Sequence, residues 1–169
     1  WGGAYLLPNL IGIENALEVV VSNPLKQNRV LKPAQAYELG IFDAIFPAAN
    51  YLENSLTWAD AVLSGKTKVE RKNEPGKIER TIKWPVAIKM ARGMLESKIG
   101  TVPRSPYVAL DLLEEARRGT KAEGFAREDE ALADLVTGDQ FAASMYAFDL
   151  VQKRAKRPVG APDKTLAKK

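Results

Sequence analysis

The chain has 169 residues, 46% of them apolar and 27% charged, which suits one globular domain or the larger part of one. It contains no Cys and no His. That excludes disulfides, thiolate metal sites and Ser-His-Asp or Cys-His catalysis, and leaves acid–base work to Asp, Glu, Lys or Tyr. The net charge of +4 belongs to one end: residues 153–169 hold seven Lys and Arg against Asp163 alone, whereas residues 1–152 hold 18 basic and 20 acidic side chains.

The first dozen residues pair Gly2 with Gly3, then run Leu7-Pro8-Asn9-Leu10-Ile11 to Gly12. A glycine pair lets the backbone turn with positive φ or approach a ligand closely. Ile13, Ala16, Leu17 and Val20 recur at helical spacing, which predicts a helix over 13–22 that Asn23-Pro24 stops. Residues 24–32 form a connector, and Pro33 opens a short helix ending at Gly40. Residues 41–46 are weakly alternating and suit a short strand or an extended apolar segment. Asn50 with Glu53 has capping-box spacing, ahead of a helix face made by Leu52, Leu56, Ala59 and Leu63.

Gly65-Lys66-Thr67 ends a helix rather than opening one after a strand, and the first glycine of a phosphate loop would fall on Asp60, so no phosphate loop is present. Residues 66–83 are dense in charge, contain Pro75-Gly76 and suit a surface excursion. Pro85 is expected to start a helix with Trp84, Ala87, Ile88, Ala91 and Leu95 on one face. Ser105-Pro106 is expected to cap the next, which turns Ala109, Leu112, Leu113 and Ala116 inward. A further helix runs from Ala122 to Gly138, and Thr137 with Gln140 spaces a capping box for the last one. Phe141, Met145, Phe148 and Val151 form a stripe on that last helix, which turns basic at Lys153 and Arg154. Residues 158–169 suit an exposed basic linker or tail. A nucleic-acid face needs positive charge spread over a folded surface, so none is expected. No run is long enough to span a membrane and no signal-peptide pattern opens the chain, so a cytoplasmic protein is expected.

Three blocks, in order, resemble the enoyl-CoA hydratase (crotonase) family. The first is Gly-Gly-x-x-x-Leu-Pro-x-Leu-Ile-Gly over residues 2–12. The second places Ala34, Ala36, Gly40, Asp43 and Pro47 on the family's small-residue, glycine, aspartate and proline pattern, within one register step. The third sets Gly124, Glu128, Leu132, Ala133, Leu135 and Asp139, then Ser144, Met145, Ala147, Phe148, Lys153 and Arg154, along the closing helices. The likeness covers residues 1–157 and is poorest at 24–32 and 66–83. Those insertions and the basic linker look more like the multifunctional fatty-acid oxidation proteins, in which a hydratase domain precedes a 3-hydroxyacyl-CoA dehydrogenase.

The resemblance implies a mainly α chain, with about six helices and at most one or two short strands, forming the C-terminal part of an α/β crotonase-like fold. Residues 1–157 would belong to the hydratase domain and 158–169 to the linker. The two catalytic glutamates and both oxyanion donors would lie before Trp1, so no catalytic residue is expected here. Trp1, Gly2 and Gly3 would end the active-site loop, with Tyr5 and Leu6 bordering the acyl pocket. Phe148 and Lys153 would cover the adenine and phosphates of coenzyme A. The longer spacing from Phe148 to Lys153 makes Arg154 the alternative cation. Hydration needs no cofactor, and NAD would serve only a dehydrogenase domain that follows. The implied partners are the acyl-CoA substrate, the N-terminal half of the domain, and a second copy or a thiolase. The rival reading is a non-catalytic helical interaction module with a basic tail.

Overall fold

A computed structural model of the chain describes residues 2–26, 29–156 and 160, and for residues 154–156 the backbone only. The described residues are mainly helical and form no strand. The nine α-helical segments exceed the six expected: α1 (Gly3–Ile11), α2 (Ile13–Leu17), α3 (Asn23–Leu25), α4 (Pro33–Glu38), α5 (Tyr51–Leu63), α6 (Trp84–Ile99), α7 (Arg104–Glu115), α8 (Lys121–Thr137) and α9 (Asp139–Lys156). The chain divides into two units, Trp1–Asp129 and Glu130–Lys169, with the boundary inside α8.

Two of the expected helix boundaries are wrong for one reason. Asn23-Pro24 does not stop a helix, and Pro85 does not start one. Instead a π turn over Glu18–Ser22 joins α2 to α3, and another over Glu79–Lys83 leads into α6. Each π turn ends just before an X-Pro pair, Asn23-Pro24 and Trp84-Pro85. A proline ring clashes with the carbonyl four residues back in a regular helix, and it lacks the N–H for that bond. The wider i→i+5 turn relieves the clash, so both rods continue through their prolines. Residues 79–83 of the expected surface excursion are thus helical.

Other expectations are corrected locally. Of the two alternatives for residues 41–46, the strand does not form, since no other segment among the described residues offers a ladder. Asn50 adopts the left-handed conformation (φ 59°) and makes no side-chain cap bond, so the Asn50–Glu53 capping box does not form. Helix α7 begins at Arg104, one residue before Ser105, with Pro103 at the capping position. A capping box does form at Thr120, whose N–H donates to Glu123 Oε2 (2.7 Å) while the Glu123 N–H donates to Thr120 Oγ1 (3.3 Å). The Thr120 N–H, then its hydroxyl, hold the Glu123 carboxyl below the usual carboxylate range.

Three rods make the core of the first unit. Ile13, Ala16, Leu17 and Val21 meet Trp84, Ile88, Ala91 and Leu95 of α6 and Leu110, Leu113 and Ala116 of α7. The intervals of three and four residues are what puts each set on one helix face. Leu110 is fully buried, although the sequence pattern pointed to its neighbour Ala109. Polar groups finish the C-terminal end of α7, where carbonyls lack intrahelical donors. Trp84 Nε1 donates to the Leu113 carbonyl (2.9 Å), Asn9 Nδ2 to the Ala116 carbonyl (2.9 Å) and Arg80 Nη1 to the Arg117 carbonyl (3.4 Å). The same Asn9 amide also donates to the Tyr5 carbonyl (2.8 Å), which ties α1 to α7.

Candidate functional site

The predicted site residues fall in both units. Gly2, Gly3, Tyr5 and Leu6 are in the first, Phe148 and Lys153 in the second. Trp1, the Arg154 side chain and residues 161–169 of the expected linker lie outside the described residues, as do residues 157–159.

At the head of α1, Gly2 is buried and left-handed (φ 87°). A Cβ placed there would stand 2.3 Å from ring carbons of Phe125, so glycine is required by both conformation and space. Having no side chain, Gly2 cannot cap the helix it precedes. The cap comes instead from α8: the Gly3 N–H donates to Glu128 Oε1 (3.0 Å) and the Ala4 N–H to Glu128 Oε2 (2.8 Å). Each carboxylate oxygen satisfies one of the donors that a helix start leaves open, at the end where the dipole favours negative charge. Gly3 and Ala4 are therefore engaged by the chain itself.

The ring contacts are reciprocal. Tyr5 meets Phe125 edge-on, with centroids 6.5 Å apart and planes at 76°. The Tyr5 ring also lies against Gly124, where an added Cβ would come within 2.3 Å of it. Lys121 Nζ sits 5.2 Å from the Phe125 centroid. Leu6 is 45% exposed. The crevice beside Tyr5, lined by Ala4, Leu112, Glu115, Ala116, Gly124 and Arg127, has room for about one water molecule. Small-molecule sites typically hold roughly 300–1,000 Å³, so this crevice alone is too small for an acyl thioester.

The head of α2 repeats the device. Gly12 (φ 79°) has no side chain, and the Ile13 N–H donates to Glu79 Oε1 (3.1 Å) from the π turn before α6. The cleft beside it is lined by Lys72 and Lys83 together with Glu14, Glu74 and Glu79. Its mixed charge gives no preference for one ion type.

In the second unit, Phe148 is 60% exposed on α9, beside the exposed Phe141, Met145 and Val151. Lys153 Nζ lies 2.5 Å from Asp149 Oδ2 in an i,i+4 pair, with the lysine side chain 72% exposed.

Comparison with known proteins gives the chain a context. No family model matches it. It is 28% identical over 173 residues to a fatty acid oxidation complex subunit alpha of Idiomarina loihiensis, an alignment that takes in 98% of this chain and 23% of that protein. It is 25% identical over 171 residues to a peroxisomal fatty acid beta-oxidation multifunctional protein of Arabidopsis thaliana, covering 98% of the chain and 22% of the relative. A fatty acid oxidation complex subunit alpha of Colwellia psychrerythraea is 25% identical over 164 residues, covering 93% of the chain and 22% of the relative. All three are fatty acid oxidation proteins, and the chain spans less than a quarter of their length.

Sequence reasoning placed Glu128 in a motif without giving it a task, and left Glu79 in a surface excursion. The available signal was a missing one. Gly2 and Gly12 each precede a helix without a Ser, Thr, Asp or Asn to cap it, which leaves those N–H groups open to an acceptor from elsewhere in the chain.

Proposed function

We propose that residues 1–157 are the C-terminal part of an enoyl-CoA hydratase domain of crotonase-like α/β fold. Residues 158–169 are a basic linker, within a multifunctional fatty-acid oxidation protein. The observation that carries this reading is the end-to-end alignment: nearly all of the chain matches proteins of fatty acid oxidation, over less than a quarter of their length. Hydration adds water across the 2,3 double bond of an enoyl thioester. The water oxygen bonds to C3 and a proton goes to C2. A base, an acid and two donors to the thioester oxygen are needed, and the preceding half of the domain supplies them. That half also covers the exposed apolar face of α5.

This chain contributes contacts remote from the reacting carbons. Trp1, Gly2 and Gly3 close the active-site loop, and Tyr5 with Leu6 borders the acyl chain. Phe148 supports the adenine ring, for which its exposed face is available, and Lys153 or Arg154 meets the phosphates. The Asp149 pair does not forbid this, since an exposed i,i+4 ion pair is worth only about 0.3–0.5 kcal/mol and a phosphate readily displaces it. No residue here is assigned to NAD, which a following dehydrogenase domain would bind. A thiolase or a second copy is the expected protein partner, and the cytoplasm the expected location. Among the described residues no helix is long and apolar enough to cross a membrane.

The test uses the natural full-length protein. Lys153→Ala combined with Arg154→Ala should raise KM for enoyl-CoA several-fold and leave kcat nearly unchanged, because the lost contact is equally strong in ground and transition states. A pantetheine thioester without the nucleotide should be unaffected. Equal loss on both substrates, or none on either, would remove the coenzyme A role from this helix end. The exposed stripes of α5 and α9 favour a second reading, a non-catalytic helical interaction module. Absence of hydratase activity from the full-length protein would favour it.

A further inference from the structure

The first turn of α1 and the first half of α8 are locked together by four separate contacts, more than a helix start needs for a cap. The Glu128 carboxylate spans the Gly3 and Ala4 N–H groups, with one oxygen on each, at 3.0 and 2.8 Å. Phe125 covers Gly2 so closely that no side chain fits there, and Tyr5 covers Gly124 in the same way. The two rings meet edge-on between these glycines. A ring over a glycine in each direction fixes the two elements in rotation as well as distance. The carboxylate, spread over two successive N–H groups, fixes the axis along which α1 begins.

We propose that this part of α8 is a clasp, and that Glu128 is a positioning residue for the reaction. By holding the first turn of α1, it sets the direction and the left-handed turn at Gly2 through which the chain enters that helix. This rests on the hydratase reading, in which the segment ahead of the glycine pair carries catalytic groups. Glu128 itself touches no substrate; its own oxygens are used on Gly3 and Ala4. Placement matters because a displacement near 1 Å at a reacting group can cost on the order of a hundredfold in rate. The clasp also explains why a family-like glycine, Gly124, lies in a helix where glycine costs stability: the space is filled by Tyr5.

The experiment uses Glu128→Ala and the milder Glu128→Gln in the natural full-length protein, with hydration kinetics and amide exchange read on the same samples. Expected for Glu128→Ala is a fall in kcat of about tenfold or more with KM within about twofold, equal on enoyl-CoA and on the pantetheine thioester. Gly3 and Ala4 amide exchange should quicken by about tenfold or more. Glu128→Gln keeps one acceptor oxygen and should fall between. Faster exchange with kcat unchanged would overturn the positioning role and leave Glu128 a plain cap. Unchanged exchange in both variants would overturn the clasp itself. If the unsubstituted protein hydrates no enoyl thioester, the functional reading falls and the positioning role with it, while exchange at Gly3 and Ala4 still decides whether Glu128 holds α1.

Discussion

Helices α2 and α5 carry similar amphipathic patterns within one unit, yet only one is covered. Ile13 and Ala16 of α2 are fully buried against α6 and α7. On α5, Tyr51, Leu52, Leu56 and Leu63 are all more than half exposed, and no residue of that helix is buried. The difference teaches that periodicity marks a face as apolar but does not say what lies on it. Around α2 the cover is specified by residues far along the chain: Trp84 fills the space and Glu79 caps the helix. Around α5 the described residues provide neither.

The strongest way to sharpen the contrast is to empty the covered side. Trp84 is fully buried and donates to the Leu113 carbonyl. Trp84→Ala should cost about 3–5 kcal/mol from lost burial and the cavity left behind, read as a lower denaturant midpoint at unchanged slope. A cost below about 1 kcal/mol would show that the three rods do not form a packed core. A smaller effect is expected at the imported cap. Glu79→Ala removes the acceptor of the Ile13 N–H and should cost about 1 kcal/mol by the same measurement. No loss there would mean that water serves the head of α2 equally well. The smallest effect belongs to α5. In the isolated 169-residue chain, Leu56→Ser should change stability by less than about 0.5 kcal/mol and lower the binding of a hydrophobic dye. A cost matching that of Trp84→Ala would erase the distinction between the two helices.

What the sequence made legible were the faces. Trp84, Ile88, Ala91 and Leu95 could be read from spacing alone, and so could Ile13, Ala16 and Leu17. The missed features all depend on partners distant in sequence. Glu128 reaches Gly3 across 125 positions and Glu79 reaches Ile13 across 66, and no local pattern announces either bond. The prolines misled because a local rule was applied without the wider turn that exempts Pro24 and Pro85 from it. At the candidate site, the glycine pair was legible as a backbone requirement, but its physical cause, the Phe125 ring, was not. Phe148 and Lys153 were legible as an aromatic followed by charge, and both are exposed on α9.

The two π turns have a bearing on how this chain tolerates change in length. A π turn holds one residue more than the regular turn it replaces, so the rods on either side keep the facing they would have without it. Deleting one residue from Glu18–Ser22 or Glu79–Lys83 would let the helix close into regular α geometry, with Ile13 and Trp84 still turned toward the core. The same deletion inside α6, between Ile88 and Leu95, would rotate every later side chain by about a quarter turn or more and throw the apolar face out of register. Shortened relatives are therefore expected to lose residues at these two turns first, and to lose the neighbouring proline with them, since a closed turn no longer accommodates its ring.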